Sequence, residues 1–205
     1  MPFQLPPVTR NLLIINIVVF VLQNMAWQLF LFYGALWPLG SGAFEPWQLL
    51  TSAFMHGGVQ HILFNMLALY MFGGPIERLF GGRKFTLYYL VCALTASLLQ
   101  LAVLRYFQPG EFFPTLGASG AIFGLLLAFG MMYPKEKVFF MLLPIPIQAR
   151  WFVLLYAAAE LFLGVSGLLP GVAHFAHLGG MLGGYLLIEY WRGRMPIKPR
   201  QRLLR

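Results

Sequence analysis

The sequence predicts an all-α polytopic membrane protein, a bundle of six transmembrane helices with a short central fourth helix and a membrane-associated first loop. Three observations predict it. Of 205 residues, 60% are hydrophobic and 10% charged, which leaves almost no chain for a soluble domain. Six apolar runs recur, at about residues 12–33, 59–74, 85–107, 118–133, 151–168 and 172–191. The fourth is too short to cross: at a rise of about 1.5 Å per residue it covers ~24 Å, against a hydrocarbon core of roughly 30 Å.

Residues 1–205 are expected to form one membrane domain, with a short N-terminal segment 1–11 and a basic tail 192–205. Arg10 before the first run resembles the start of a secretory signal, but the run continues to Tyr33 without a small-residue cleavage site, so a retained span is expected. Basic residues occupy alternate connections: Arg10; Arg78, Arg83 and Lys84; Lys135, Lys137 and Arg150; and Arg192 onward. The positive-inside rule then puts both termini in the cytoplasm. The net charge of +8 follows this topology, so no nucleic-acid partner is implied, and the tail is expected to touch anionic lipid.

The first loop, residues 34–58, is long yet apolar, with Trp37, Phe44 and Trp47 among Pro and Gly. Trp favours the headgroup level and Pro breaks helices, so an interfacial hairpin or broken helix is expected there. In the second run, His61 and Asn65 are spaced i, i+4 and share a helix face. Cys92 in the third reads as a small packing residue. Glu160 in the fifth reads as a structural or lipid-accommodated carboxylate.

The fourth and sixth runs carry small-residue strips. Gly120-x-x-x-Gly124 follows Ser119, and Gly179/Gly183 overlaps Gly180/Gly184 after His177. Such spacing lets two transmembrane helices touch backbone to backbone, which would bring Ser119 to His177. Polar residues within spans are expensive and are functional candidates by default. Ser119, His61, Asn65 and His177 all fall in the outer part of the membrane. A serine needs a base, and His is the usual one. An oxyanion needs donors, which Asn, His and the Ser119 backbone N–H at a helix start can supply. The chain has no Asp, so a Ser-His dyad without a carboxylate is the simplest reading.

These residues resemble the rhomboid intramembrane serine proteases. The likeness lies in His56-Gly57-Gly58-Val59-Gln60-His61-x-x-x-Asn65, Gly117-Ala118-Ser119-Gly120, and Ala176-His177-Leu178-Gly179-Gly180 with Gly184. It implies a rhomboid-like bundle that cuts transmembrane helices of membrane-protein substrates near their outer ends. Ser119 would be the nucleophile and His177 the base and acid; His61, Asn65 and the Ser119 amide would form the oxyanion site. Gly117, Gly120, Phe123, His56, Gly180 and Gly184 would support them. The resemblance implies no metal and no organic cofactor, transmembrane-helix substrates and lipids as partners, and a bacterial inner membrane. Two departures stand out. Many members carry Trp-Arg in the first loop where this chain has Trp47-Gln48, and many carry Tyr where it has Phe123, whose face could still stack on His177. His56 is expected to be structural, and His174 a rim residue. A rival reading, a metal or proton transporter using His56, His61, His174 and His177, lacks an evident carboxylate or thiolate beside the imidazoles.

Overall fold

The computed structural model describes residues 4–108, 110, 112–140 and 143–199. Helix α1 (Pro7–Met25) opens on Pro7, whose missing N–H is no loss in a first turn. Its outward face is Ile14, Ile17, Val18, Val21 and Leu22, while its buried stripe holds Thr9, Leu12, Asn16 and Gln23. Span 1 is thus shifted toward the N-terminus and is not one helix to Tyr33. Ala26 leaves helical geometry at φ −142° and ψ 52°, and α2 (Trp27–Gly34) follows.

The first loop carries α3 (Gln48–Thr51) and a 3₁₀ turn, Ser52–Phe54. The broken helix expected there is present. Helix α4 (Val59–Ala68) passes through a π turn, Leu69–Gly73, into α5 (Gly74–Phe80). The span therefore runs beyond Gly74, where Gly73-Gly74-Pro75 suggests an end. Pro75 lacks an N–H and crowds the carbonyl one turn back; a widened turn relieves that clash without ending the helix. The carboxylate of Glu77, 3% exposed, then accepts from Val8 N–H (2.9 Å), Thr9 N–H (2.6 Å) and Thr9 Oγ1 (2.7 Å). It caps the first turn of α1, where unpaired N–H groups favour a negative charge.

Helix α6 is Gly82–Tyr106 and α7 is Ser119–Met132. A short antiparallel hairpin, β1 (Lys137–Phe140) with β2 (Leu143–Gln148), joins α7 to α8 (Ala149–Ser166), and α9 (His174–Trp191) closes the bundle. No strand was expected in this connection between the fourth and fifth spans. By length and composition α1, Val59–Phe80, α6 and α8 can cross a membrane, and α7 is a shorter apolar helix.

The core is α7, wrapped by α6 and α9. Nine of its fourteen residues are buried. α7 meets α9 backbone to backbone, since a Cβ on Gly180 would run into the Gly120 carbonyl, and it meets α6 closely, since one on Gly124 would run into Cys92 Sγ. Tyr88 on α6 donates its hydroxyl to the Gly124 carbonyl (2.7 Å), and the same hydroxyl occupies the space beside Gly184. Cys92 is a packing residue, as expected. Gly180→Ala should force α7 and α9 apart at a cost of about 1–3 kcal/mol, the scale of overpacking. A lowered thermal midpoint in detergent, with activity at least tenfold down, is the expected result.

Candidate active site

The glycine contacts fix where the starts of α7 and α9 lie. Ser119 is the first residue of α7; His177 is three residues into α9. Ser119 Oγ and His177 Nε2 are 2.8 Å apart. The imidazole stacks on Phe123, one turn below Ser119, with ring centroids 4.2 Å apart and planes inclined by 5°. Phe in place of Tyr keeps this contact.

His177 is held from its other side as well. Its Nδ1 is 2.9 Å from Glu160 Oε2 on α8, and His174 Nδ1 lies 2.7 Å from the same oxygen. All three residues are buried. Glu160 reaches them because Gly164, one turn on along α8, lets the helix close on α9: a Cβ there would lie 3.1 Å from His174 Cβ and Phe175 Cε2. Of the two readings open for Glu160, the structural one fits these bonds and the lipid-accommodated one does not. His174, expected on the rim, is buried. A carboxylate does stand beside two of the imidazoles. The donor atoms of Glu160, His174 and His177 lie within 4.8 Å of one another and form the one metal-capable group among the described residues. One carboxylate oxygen accepting from two imidazole N–H groups accounts for the same atoms.

The second span faces the serine from across a pocket of about 1080 Å³, lined by Ser119, His177, His61, Asn65 and Gly117 among others. His61 Nδ1 accepts from Gly57 N–H at 3.2 Å, which leaves Nε2 as its protonated nitrogen. That nitrogen points at Gly117, where a Cβ would sit 2.9 Å from it. Gly117 also has φ +136°, a region other residues rarely adopt. Asn65 Nδ2 donates to the His61 carbonyl (3.0 Å) in its own helix. His56 is buried edge-on against His61, centroids 5.1 Å apart; burial, with His61 beside it, pushes its imidazole down to about 4. It is a neutral packing group at neutral pH.

The first loop positions this site. Leu36 and Thr115 exchange both backbone hydrogen bonds at 2.8 Å, and Gly117 N–H donates to the Ser52 carbonyl (2.9 Å). Chain leading into Ser119 is thereby tied to residues 36 and 52. The loop is itself bound inside by Gln48, which is fully buried. Its Oε1 accepts from Trp37 N–H (3.2 Å) and Glu45 N–H (3.1 Å). Its Nε2 donates to the Phe32 (3.2 Å) and Ala43 (2.9 Å) carbonyls. The amide's two acceptor and two donor positions are all used. Gln23 on α1 clasps His56 in the same manner, accepting from its N–H at 3.1 Å and donating to its carbonyl.

A family model described as the rhomboid domain matches residues 43–193. The chain belongs to the rhomboid family. It is 38% identical over 143 residues to RHOMBOID-like protein 4 of Arabidopsis thaliana, covering 70% of this chain and 33% of that one. It is 33% identical over 141 residues to rhomboid protease GluP of Bacillus subtilis (strain 168), covering 69% and 25%. It is 27% identical over 196 residues to rhomboid protease GlpG of Pectobacterium atrosepticum, covering 95% and 66%. The chain spans between about a quarter and two thirds of the length of these relatives.

Of the residues singled out in the sequence of this rhomboid, Ser119, His177, His61 and Phe123 come together at one pocket, while the contacts of Glu160, His174 and Gln48 were not foreseen. A signal for Glu160 was present: Ala149, Val153, Glu160 and Gly164 lie on one face of α8 by helical spacing. Most other residues on that helix, such as Leu154, Leu155, Phe162 and Val165, are exposed. For Gln48 no local pattern announces four backbone partners. Gln48→Leu fills similar volume but strands those groups. Stability should fall by about 3 kcal/mol or more, at 1–3 kcal/mol per unpaired buried group. Thermal unfolding and faster proteolytic nicking in residues 37–47 would report it.

Proposed function

We propose that this rhomboid is an intramembrane serine endopeptidase that cuts transmembrane helices of membrane proteins near their outer ends. The observation that carries the reading is the 2.8 Å contact between Ser119 Oγ and His177 Nε2 at the wall of an open pocket. A substrate helix enters sideways and unwinds, because a helical carbonyl is shielded. Ser119 Oγ attacks the carbonyl carbon as its proton passes to His177 Nε2. The oxyanion meets the His61 Nε2–H and the backbone N–H of Ser119, which as the first helical residue has no intrahelical partner. His177 then protonates the leaving nitrogen, the C–N bond breaks, and an acyl-enzyme remains. Water adds with its proton going to Nε2; that proton returns to Ser119 Oγ as the ester bond breaks.

Gly167 and Gly171, with φ +67° and +90°, bracket a short loop that also lines the pocket, in keeping with a cap over the site. Both termini are assigned to the cytoplasm by the basic connections, and the compact form suits a bacterial inner membrane. The mechanism calls on no metal or organic cofactor.

Purified protein in detergent, given a single-span substrate, should cleave it within or near the span. Ser119→Ala and His177→Ala should each abolish cleavage, and a fluorophosphonate should label wild type at Ser119. Intact substrate and no label on folded wild type would reject the protease reading in favour of a helix-binding protein. Asn65→Ala should reduce turnover by up to roughly 10²–10³, the scale for one oxyanion donor, because its Nδ2 gives one hydrogen to the His61 carbonyl and keeps a second for the oxyanion. Unchanged turnover would remove Asn65 from the oxyanion site.

A further inference from the structure

We propose that Glu160 is a positioning residue for His177, making the site a serine–histidine–glutamate relay in which the carboxylate sets the imidazole's tautomer. The proposal rests on the protease reading above and goes beyond its serine and histidine. Three observations carry it.

The first is direction. Stacking on Phe123 fixes the plane of the His177 ring but leaves it free to flip about Cβ–Cγ, which swaps each nitrogen for a carbon, and does not set which nitrogen carries the hydrogen. Glu160 Oε2 at 2.9 Å from Nδ1 removes that freedom. A carboxylate oxygen accepts, so Nδ1 carries the hydrogen. Nε2 then presents its lone pair to the Ser119 hydroxyl, which is the state a general base requires. When Nε2 takes the serine proton, the imidazolium charge forms next to the carboxylate. In a site walled by apolar helices that charge pair is worth far more than in water.

The second is how Glu160 is itself held. His174 lies three residues before His177, one turn back on α9, and its Nδ1 is 2.7 Å from the same Oε2. The two imidazoles grip one oxygen and fix the carboxylate against the base. Third, pairing with His174 alone would satisfy the general demand that an ionisable group in a span find a partner. The carboxylate nevertheless reaches the base as well, and no other hydrogen-bond partner of His177 Nδ1 is among those described. Gly164 gives α8 the approach needed for both bonds.

The test uses the full chain in detergent. Wild type and Glu160→Gln are compared for kcat and KM on one single-span substrate, with Ser119→Ala as the zero. An amide can turn its NH2 toward Nδ1 and favour the wrong tautomer; amidating the carboxylate of a serine-protease triad lowers kcat by about 10⁴. Here kcat should fall by tenfold or more, with KM within about twofold. Nitrogen NMR of histidine-labelled wild type, which has only 4 histidines, should show His177 protonated at Nδ1. That tautomer should be lost in Glu160→Gln, a change that a merely structural role would not produce. A folded Glu160→Gln with kcat within twofold of wild type overturns the proposal. So does wild-type His177 protonated at Nε2, a result that does not depend on whether the variant folds. Wild type that neither cleaves nor labels at Ser119 overturns the protease reading and takes the relay with it, an outcome distinct from an active enzyme indifferent to Glu160.

Discussion

Everything at the site depends on two helices touching without side chains between them. With Gly180 against the Gly120 carbonyl and Gly124 against the Gly180 carbonyl, α7 and α9 approach more closely than ordinary side chains permit. The hydroxyl of Ser119 and the ring of His177 are each set within the first turn of their helix. Their separation is therefore a property of the helix pair rather than of flexible loops. Lipid tails are as apolar as the helix surfaces, so the hydrophobic effect does not hold such a pair together; contact area and backbone proximity do.

The remaining helices supply polar groups to that rigid pair. Second-span His61 is oriented by Gly57 N–H and aimed at Gly117. The first loop grips the approach to Ser119 through Thr115 and Gly117. Glu77 pins the other end of the same span to the first turn of α1. α8 packs Ala149, Val153 and Tyr156 on the core and meets α9 through Gly164 and the Glu160 carboxylate. A buried carboxylate between two imidazoles is then both a structural tie and an electrostatic element of the site.

Much of this was legible from sequence, and the boundary is physical. The short fourth run and the glycine strips pointed to α7 and α9, and costly polar residues in spans pointed to Ser119, His61 and His177. The depth of Glu160 was legible but the rotation of its helix relative to α9 was not, so a residue bonded to the base read only as structural or lipid-accommodated. His174 was misplaced for the same reason. The β1–β2 hairpin was hidden because Pro144 and Pro146 argue against a strand; with two strands, each has a free edge where a missing N–H is tolerated. The break at Ala26 carries neither Pro nor Gly and has no local signal.

Gln48 has a consequence for how the first loop answers its surroundings. Many family members place an arginine at this point, a permanent charge whose attractions to phosphate or carboxylate weaken as ions are added. Here the loop is drawn together by four neutral hydrogen bonds from one buried side chain to backbone. Neutral buried bonds are not screened. The hold that Gln48 keeps on this loop, and through it on the residues before Ser119, therefore has no charge for added ions to screen and none for anionic headgroups to compete with.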